Sequence, residues 1–337
     1  MRVMLVGGAG YIGSHVAVAL LEAGHDVVVV DDLSNSDASA ITRVGRITGR
    51  SVPLIESDAR DAGAIERALD GQPPIEAIVL LAGLKSVAES VADPVRYYDV
   101  NIAAAISTLK VATALGVKNI VFSSSATVYG SSEGLPFDEG SATSLDLANP
   151  YGKTKRIIEE VLADAAAADP TLKVTSLRYF NPVGAHDSGL IGEDPRSAPT
   201  NLMPIVARAA AGAIPFVSVY GTDYPTPDGT GLRDYIDVND LARGHVEAIA
   251  HAREGYEIFN LGTGVPVSVF EMIAQFEAVA GRSIPVHVEP RRPGDVAVSV
   301  ADASKAQRRW GWTAERSIAD SCRTYWAWQT SDTQGLR

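Results

Sequence analysis

The sequence predicts an α/β protein, with a doubly wound parallel sheet first and a smaller C-terminal α/β lobe after it. Three observations predict this. Short apolar runs at 2–6, 26–30, 52–56, 75–81 and 119–123 have the length and β-branched content of buried strands. Helical periodicity recurs between them, at Val16, Leu20 and Leu21 and again over residues 94–115, and strands that alternate with helices form a parallel sheet. Past residue 180 the alternation breaks into a stretch rich in Gly, Pro and Asp, which reads as loop. The expected division is therefore 1–180 and 181–337, with room for segments that cross back.

Composition narrows the function classes. The chain has 337 residues, 46% of them hydrophobic and 21% charged, the profile of a globular protein large enough for two lobes. A net charge of −12 argues against a general nucleic-acid or anionic-membrane binder. The single cysteine, Cys322, excludes an internal disulfide and a Cys-based zinc site, and no metal site is expected. No apolar run reaches the roughly 18 residues of a membrane span. The N-terminal run is followed at once by glycines and reads as a strand rather than a signal peptide. The expected compartment is the cytoplasm.

In chain order, the first strand runs into Gly7-Gly8-Ala9-Gly10-Tyr11-Ile12-Gly13 and then a helix. Strand, glycine turn and helix form the dinucleotide-binding arrangement of a Rossmann sheet. The glycines Gly7, Gly10 and Gly13 let the backbone approach a pyrophosphate, whose charge sits at the helix N-terminus. The second strand ends at Asp31-Asp32, close to the spacing of about 20 residues at which a carboxylate takes the adenine-ribose hydroxyls. A carboxylate there repels a 2′-phosphate, so NAD is expected rather than NADP. Asp58, after the third strand, can reach an adenine amino group or cap the helix near Asp61. Leu81-Ala82-Gly83-Leu84-Lys85 ends the fourth strand: small residues let the backbone lie against a cofactor, and Lys85 can hold ribose or phosphate oxygens.

The fifth strand runs into Ser123-Ser124-Ser125-Ala126-Thr127-Val128-Tyr129-Gly130, which puts serines at the carboxyl edge of the sheet, where ligands of such folds bind. The next helix opens after Asn149-Pro150 with Tyr151-Gly152-Lys153-Thr154-Lys155. Tyr151 and Lys155, at i and i+4, share a helix face. A free phenol has a pKa of roughly 10, and a nearby ammonium is expected to lower it, making Tyr151 a proton shuttle. Alone, a surface Tyr and Lys on a helix are ordinary. Together with a nucleotide fold and the strand-end Ser125 they point to catalysis.

The glycine spacing with Ser125, Tyr151 and Lys155 resembles the extended short-chain dehydrogenase/reductase family. Longer strings narrow the likeness to its UDP-glucose 4-epimerase branch: Ala82 to Lys85, Ser123 to Gly130, Leu177 to His186, Asn201-Leu202-Met203-Pro204, and Gly221 to Tyr235. The resemblance covers residues 1 to about 328. It implies reversible 4-epimerisation of UDP-glucose and UDP-galactose by transient oxidation at sugar C4 with tightly held NAD. Tyr151 would take the 4-hydroxyl proton, Ser125 would hydrogen-bond that oxygen, and Lys155 would hold the nicotinamide ribose. The resemblance implies cofactor contacts at Tyr11, Ile12, Asn35, Ala59, Asn101, Ser123, Tyr179 and Phe180. It implies substrate contacts at Lys85, Asn181, Asn201 and Leu202, with Tyr220 near the uracil, Arg233 and Arg292 on the diphosphate and Asp295 on the uridine ribose. It also implies a homodimer through helices near 94–115 and 151–168.

The sequence departs from the branch in places. Leu80-Leu81 stand where His-Phe is common, Ala104-Ala105 replace Gly-Thr after Val100-Asn101-Ile102, and Asp237 replaces a His with no expected change in chemistry. Related 4,6-dehydratases carry an Asp-Glu pair where this chain has Ala126 and Thr127, so elimination of water lacks its acid and base. Ser299 falls where some epimerases carry a large tyrosine. A small side chain there leaves room for an N-acetyl group, or merely starts a short strand. Rival readings are an epimerase for another nucleotide sugar such as UDP-glucuronate, or an inactive NAD-binding regulator.

In the second lobe the sequence predicts helices at 201–212, 240–252 and 268–280, the last opened by a Ser268/Glu271 capping box. Strands are predicted at 216–220 and 257–260, with a long ordered loop after Tyr220. Trp310, Trp312, Trp326 and Trp328 are read as core.

Overall fold

The computed structural model describes residues 1–130, 134–143, 145, 147, 149–194, 200–292 and 295–331. Residues 195–199 of the loop expected after 180, and residues 293 and 294, lie outside the described residues. The chain divides into two compact units, one built from Met1–Ser132, Ser141–Tyr179 and Ala242–Phe259, the other from Glu133–Gly140, Phe180–Leu241 and Asn260–Arg337.

The first unit alternates β1 (Arg2–Val6), α1 (Tyr11–Glu22), β2 (Asp26–Asp31), α2 (Ala38–Thr48), β3 (Leu54–Glu56), α3 (Ala62–Leu69), β4 (Ala77–Leu80), α4 (Val87–Ala92), α5 (Pro94–Leu115), β5 (Asn119–Ser125), α6 (Pro150–Ala168) and β6 (Lys173–Tyr179). The strand pairs β3–β2, β2–β1, β1–β4, β4–β5 and β5–β6 are all parallel. Strand alternation explains why both faces are apolar. Met4, Val6, Val28, Val30, Ile78, Leu80, Ile120 and Phe122 pack with Ile158 and Leu162 of α6, and the alternate positions Val3, Leu5, Val27, Val29, Val79 and Val121 are buried too. Helix starts follow local chemistry. Asp93 caps α5 and Asn149 caps α6, each followed by a proline at the first turn. The short helix α4 and the strand β6 were not anticipated. The third and fourth strands are shorter than expected, and β5 runs two residues further, so Ser125 ends it.

Beyond Tyr179 come β7 (Asn181–Val183), α7 (Leu202–Ala210), β8 (Val217–Tyr220), β9 (Leu232–Asp237), α8 (Val238–Ala250), β10 (Gly255–Leu261), β11 (Pro266–Ser268), α9 (Val269–Ala280), β12 (Val286–Glu289), β13 (Val298–Ser299), α10 (Ser304–Trp310) and α11 (Ile318–Thr330). Segments do cross back here: most of α8 and β10 belong to the first unit, and β10 joins the seven-stranded sheet beside β6. The local pattern shows a strand but carries no information on which sheet it will join. The loop expected after Tyr220 turns into β9 at Leu232, so Arg233 stands on a strand.

In the second unit β9 pairs with β7, β11 and β13, while β8 pairs with β12. Asp234 ties this unit together: its carboxylate accepts from Thr263 N and Oγ1, Gly264 N and Ala301 N. The core gathers Met203, Val206, Val219, Phe276, Tyr325 and Trp328, and α9 opens with the expected Ser268/Glu271 capping box. Trp312 and Trp328 are buried, and Trp326 packs against this core. A Cβ on Gly192 would meet the Trp328 ring at 2.5 Å, so backbone closes directly on the indole. Trp328→Ala is therefore expected to cost about 3–5 kcal/mol, read as a lower midpoint in chemical denaturation.

Candidate active site

The glycine turn of the first unit is built for close backbone approach. Gly7 has φ +84°, and a Cβ there would lie 2.5 Å from Ala82 N. A Cβ on Gly13 would lie 2.6 Å from Gly7 O. These two glycines are required by the protein's own packing. Gly10 is different: a Cβ there would meet nothing nearer than Gly7 O at 3.8 Å. Gly10 is also the N-cap of α1 and has no side-chain capping bond. The space beside Gly10 and the first turn of α1 thus fits a pyrophosphate.

Asp31, buried at the end of β2, pins this turn. Its carboxylate accepts from Ala9 N at 2.9 Å, Leu33 N at 3.0 Å and Ser36 Oγ at 2.7 Å. A carboxylate has about four acceptor positions, so room remains for a ribose hydroxyl. Asp32 turns to Ser34, and Asn35 is exposed in the same turn. Asp58 is gripped by Arg60 through Nε and Nη2, and Arg60 reaches on to Asp99. The Arg60 bond holds the Asp58 carboxyl below the usual range. Tyr11, Ile12, Ala59, Leu81 and Ala82 are half-buried, and Lys85 is exposed. Leu81 N and Ala82 N both donate to Val6 O at 2.8 Å, fixing the loop after β4 against β1.

Asn101 serves this loop. Its side chain accepts from Leu84 N at 2.7 Å and donates to Leu84 O at 3.1 Å and to Thr154 Oγ1 at 3.0 Å. It thereby fastens the Gly83–Lys85 segment to α5 and α6. The Ala104-Ala105 departure from the family pattern is absorbed on the buried side of α5.

The chemistry-bearing groups meet at the carboxyl end of β5, where the register sets Ser123, Ser124 and Ser125 opposite Leu177, Arg178 and Tyr179. Lys155 is buried and donates from Nζ to Ser123 O at 2.7 Å. Tyr151, half-buried, shares a hydrogen bond with the Ser125 hydroxyl. Thr127 donates to Ser125 Oγ from its N–H at 3.2 Å and from its hydroxyl at 3.0 Å. A hydroxyl has one proton to give and two acceptor positions. The Thr127 N–H occupies one of them, and the Thr127 hydroxyl alongside holds Ser125 Oγ in place. The sequence marked Thr127 only by the carboxylate it lacks. Its role in aiming Ser125 becomes visible once residues 126–129 fold into a 3-10 turn capped by Ser125.

One electrostatic expectation is corrected. Lys155 was expected to lower the Tyr151 pKa. Burial instead pushes the phenol up, with only the Ser125 hydrogen bond opposing it. The reason is geometric: the ammonium is committed to Ser123 O and lies 5.8 Å from the Tyr151 ring centroid. Burial also pulls Lys155 down to about 8, with Glu159 opposing. Tyr179, at the end of β6, hydrogen-bonds with His245 Nε2 and with the Ser123 side chain, and burial pushes its phenol well up.

The second unit carries its own cluster. Arg233 stands opposite Ser299 in the β9–β13 register, donates to Leu232 O at 2.9 Å, and lies 3.6 Å from Asp295. The Arg292 guanidinium stacks 3.8 Å over the Tyr220 ring. Three further sequence-picked residues take these places. Asn181 is exposed on β7, Phe180 N is tied to Leu261 O, and Asn201 donates to Glu193 Oε1 at 2.8 Å. Leu202 packs on the core. Among the described residues no group of His, Cys, Asp and Glu could hold a metal ion, and no helix is long and apolar enough to cross a membrane.

The family model described as "NAD dependent epimerase/dehydratase family" matches residues 3–262. A UDP-glucose 4-epimerase of Bacillus subtilis is 48% identical over 339 aligned residues, covering 100% of this chain and 99% of the relative. The crystal structure of UDP-glucose 4-epimerase from Bifidobacterium longum, in complex with NAD+ and UDP, superposes with a TM-score of 0.95 at 48% identity, covering 99% of this chain and 100% of that one. The UDP-Glc/GlcNAc 4-epimerase from Campylobacter jejuni gives a TM-score of 0.84 at 33% identity, covering 97% and 98%.

In the ligand-free protein Lys155 is expected to lose its proton as pH rises through about 8, well below an exposed lysine. An NMR titration of the lysine side chains checks this: one resonance titrates near that pH and disappears in Lys155→Met.

Proposed function

The chain belongs to the NAD dependent epimerase/dehydratase family, and from that premise we propose that it interconverts UDP-glucose and UDP-galactose by transient oxidation at sugar C4. The observation that carries this reading is the carboxyl end of β5, where Ser125, held by Thr127, the phenol of Tyr151 and the buried ammonium of Lys155 converge. When bound, NAD supplies the acceptor and donor for hydride. The chain's residues do the rest. Tyr151 acts as the phenolate, the form its Ser125 hydrogen bond favours against burial, and takes the proton of the 4-hydroxyl as the C4–H electron pair leaves as hydride, while Ser125 turns to that oxygen. Lys155 binds the nicotinamide ribose and keeps a positive charge near the phenol. The 4-keto sugar turns over, and hydride and proton return on its other face, so no oxidant is consumed.

The first unit is the NAD-binding domain in this reading. Gly7, Gly10 and Gly13 shape the pyrophosphate cradle, Asp31 takes the adenine ribose, and Asp58, held by Arg60, lies beside the adenine. The second unit is the UDP-binding domain. Arg233 and Arg292 suit diphosphate oxygens by their planar forks, Tyr220 offers a ring for the uracil, and Asp295 an acceptor for the ribose. Arg233 lies 3.6 Å from Asp295 and Arg292 stacks on the Tyr220 ring, so the four groups proposed for the nucleotide already stand as neighbours in pairs. Firm binding of the nucleotide leaves the sugar free to rotate. The protein acts as a cytoplasmic homodimer through α5 and α6, a reading supported by the exposed Val95 and Ile106 on α5 and tested by its mass in solution.

Purified protein given UDP-galactose with no added NAD is expected to form UDP-glucose, read by chromatography. No product with or without NAD sinks the reading. Tyr151→Phe is expected to cut turnover by about 10²–10⁴-fold while NAD stays bound. Ser299, half-buried beside Arg233, supports acceptance of UDP-GlcNAc as well. Wild type should turn over that sugar, and Ser299→Tyr should lose it while keeping UDP-glucose. Absence of UDP-GlcNAc turnover in the wild type ends that extension.

A further inference from the structure

Next to the proton-transfer residues lies a buried charge pair that the reaction does not use. Arg178 on β6 and Glu159 on α6 are 2% and 1% exposed. Arg178 donates from Nε to Glu159 Oε1 at 2.9 Å and from Nη2 to Oε2 at 2.7 Å. Ser124 Oγ donates to Oε1 at 2.6 Å. The guanidinium carbon lies 4.8 Å from the Tyr129 ring centroid. A buried ion pair is often no more stabilising than a well-packed apolar pair, because desolvation offsets the attraction. Stability alone is a weak reason for this one.

Its placement gives a better reason. Lys155 and Glu159 are i and i+4 on α6, so they share a helix face. They are anchored to neighbouring residues of β5, Lys155 on the Ser123 carbonyl and Glu159 on the Ser124 hydroxyl. A carboxylate is thus fixed one helical turn along the same face from an ammonium that has little water to stabilise it. We propose that Glu159, clamped by Arg178 and Ser124, is a positioning residue for Lys155: its fixed negative charge keeps the ammonium protonated in the interior. The proposal rests on the reading of Tyr151 and Lys155 as the reacting pair.

Other titratable groups stand around this place. They are Tyr151 and Arg156 on α6, Arg178 and Tyr179 on β6, Tyr129 in the turn after β5, His245 on α8 against Tyr179, and Tyr256 on β10, whose hydroxyl donates to Ser176. The Phe122 ring lies 4.9 Å from Nζ and brings no charge. Burial and Glu159 act on Lys155 in opposite senses.

The test is the titration of Lys155 by NMR, together with the pH profile of kcat and kcat/KM. In Glu159→Gln the Lys155 titration and the alkaline limb should both move to lower pH by about one unit or more. Glu159→Asp should recover part of the shift. Should Glu159→Gln fail to fold around an unpaired Arg178, Glu159→Gln/Arg178→Met removes both charges and should still show the shift. A Lys155 titration that stays at the wild-type pH in the folded variants overturns the proposal, even where activity falls. Because this titration needs no turnover, a wild type inactive on UDP-galactose would reject the functional reading and leave the Glu159 result standing separately.

Discussion

Three consecutive serines end β5, and each is taken by a different partner. The Ser123 carbonyl receives Lys155, the Ser124 hydroxyl binds Glu159, and the Ser125 hydroxyl meets Thr127 and Tyr151. The constraint beneath this is the parallel pairing of β5 with β6, which carries Arg178 and Tyr179 to the same edge. Helix α6 then has one docking that serves all of its functional side chains. Ile158 and Leu162 enter the core while Lys155 and Glu159 reach the strand end. A slip of this helix would break the apolar and the polar contacts together.

Burial sets the charge problem at this edge. Water is largely excluded around Lys155, and desolvation favours the neutral form of both Lys155 and the half-buried Tyr151. Proton transfer through a phenol needs the opposite for the lysine, a cation held in place. Glu159 supplies the countering charge from within the same helix, and Arg178 keeps that carboxylate from turning away. Ser125 is prepared differently: the Thr127 N–H and hydroxyl both lie within hydrogen-bond distance of its Oγ and hold it at the strand end. Neither device adds a reactive group. Both fix the state of one that is already there.

The second unit pairs its arginines with neighbours: Asp295 lies 3.6 Å from Arg233 and the Tyr220 ring stacks under Arg292. Partly exposed ion pairs are worth little, so under the proposed reading a diphosphate displaces the Arg233–Asp295 contact at small cost.

Much of this was legible in the sequence because it rests on local chemistry. The glycine turn, the strand-end Asp31 and serines, the proline-opened α6 and the Ser268 capping box all depend on spacing within a few residues, and they fold as read. What spacing could not give was partnership between distant segments. Nothing local joins Glu159 to Arg178, Asn101 to Leu84, or β10 to β6. A one-dimensional pattern also placed Lys155 near Tyr151 without saying which atom its ammonium would face. The sequence by itself determined which elements form and which residue types stand at the sheet edge. Only the tertiary structure decided protonation and aim, because those depend on desolvation and on hydrogen bonds that exist once the chain has closed around them.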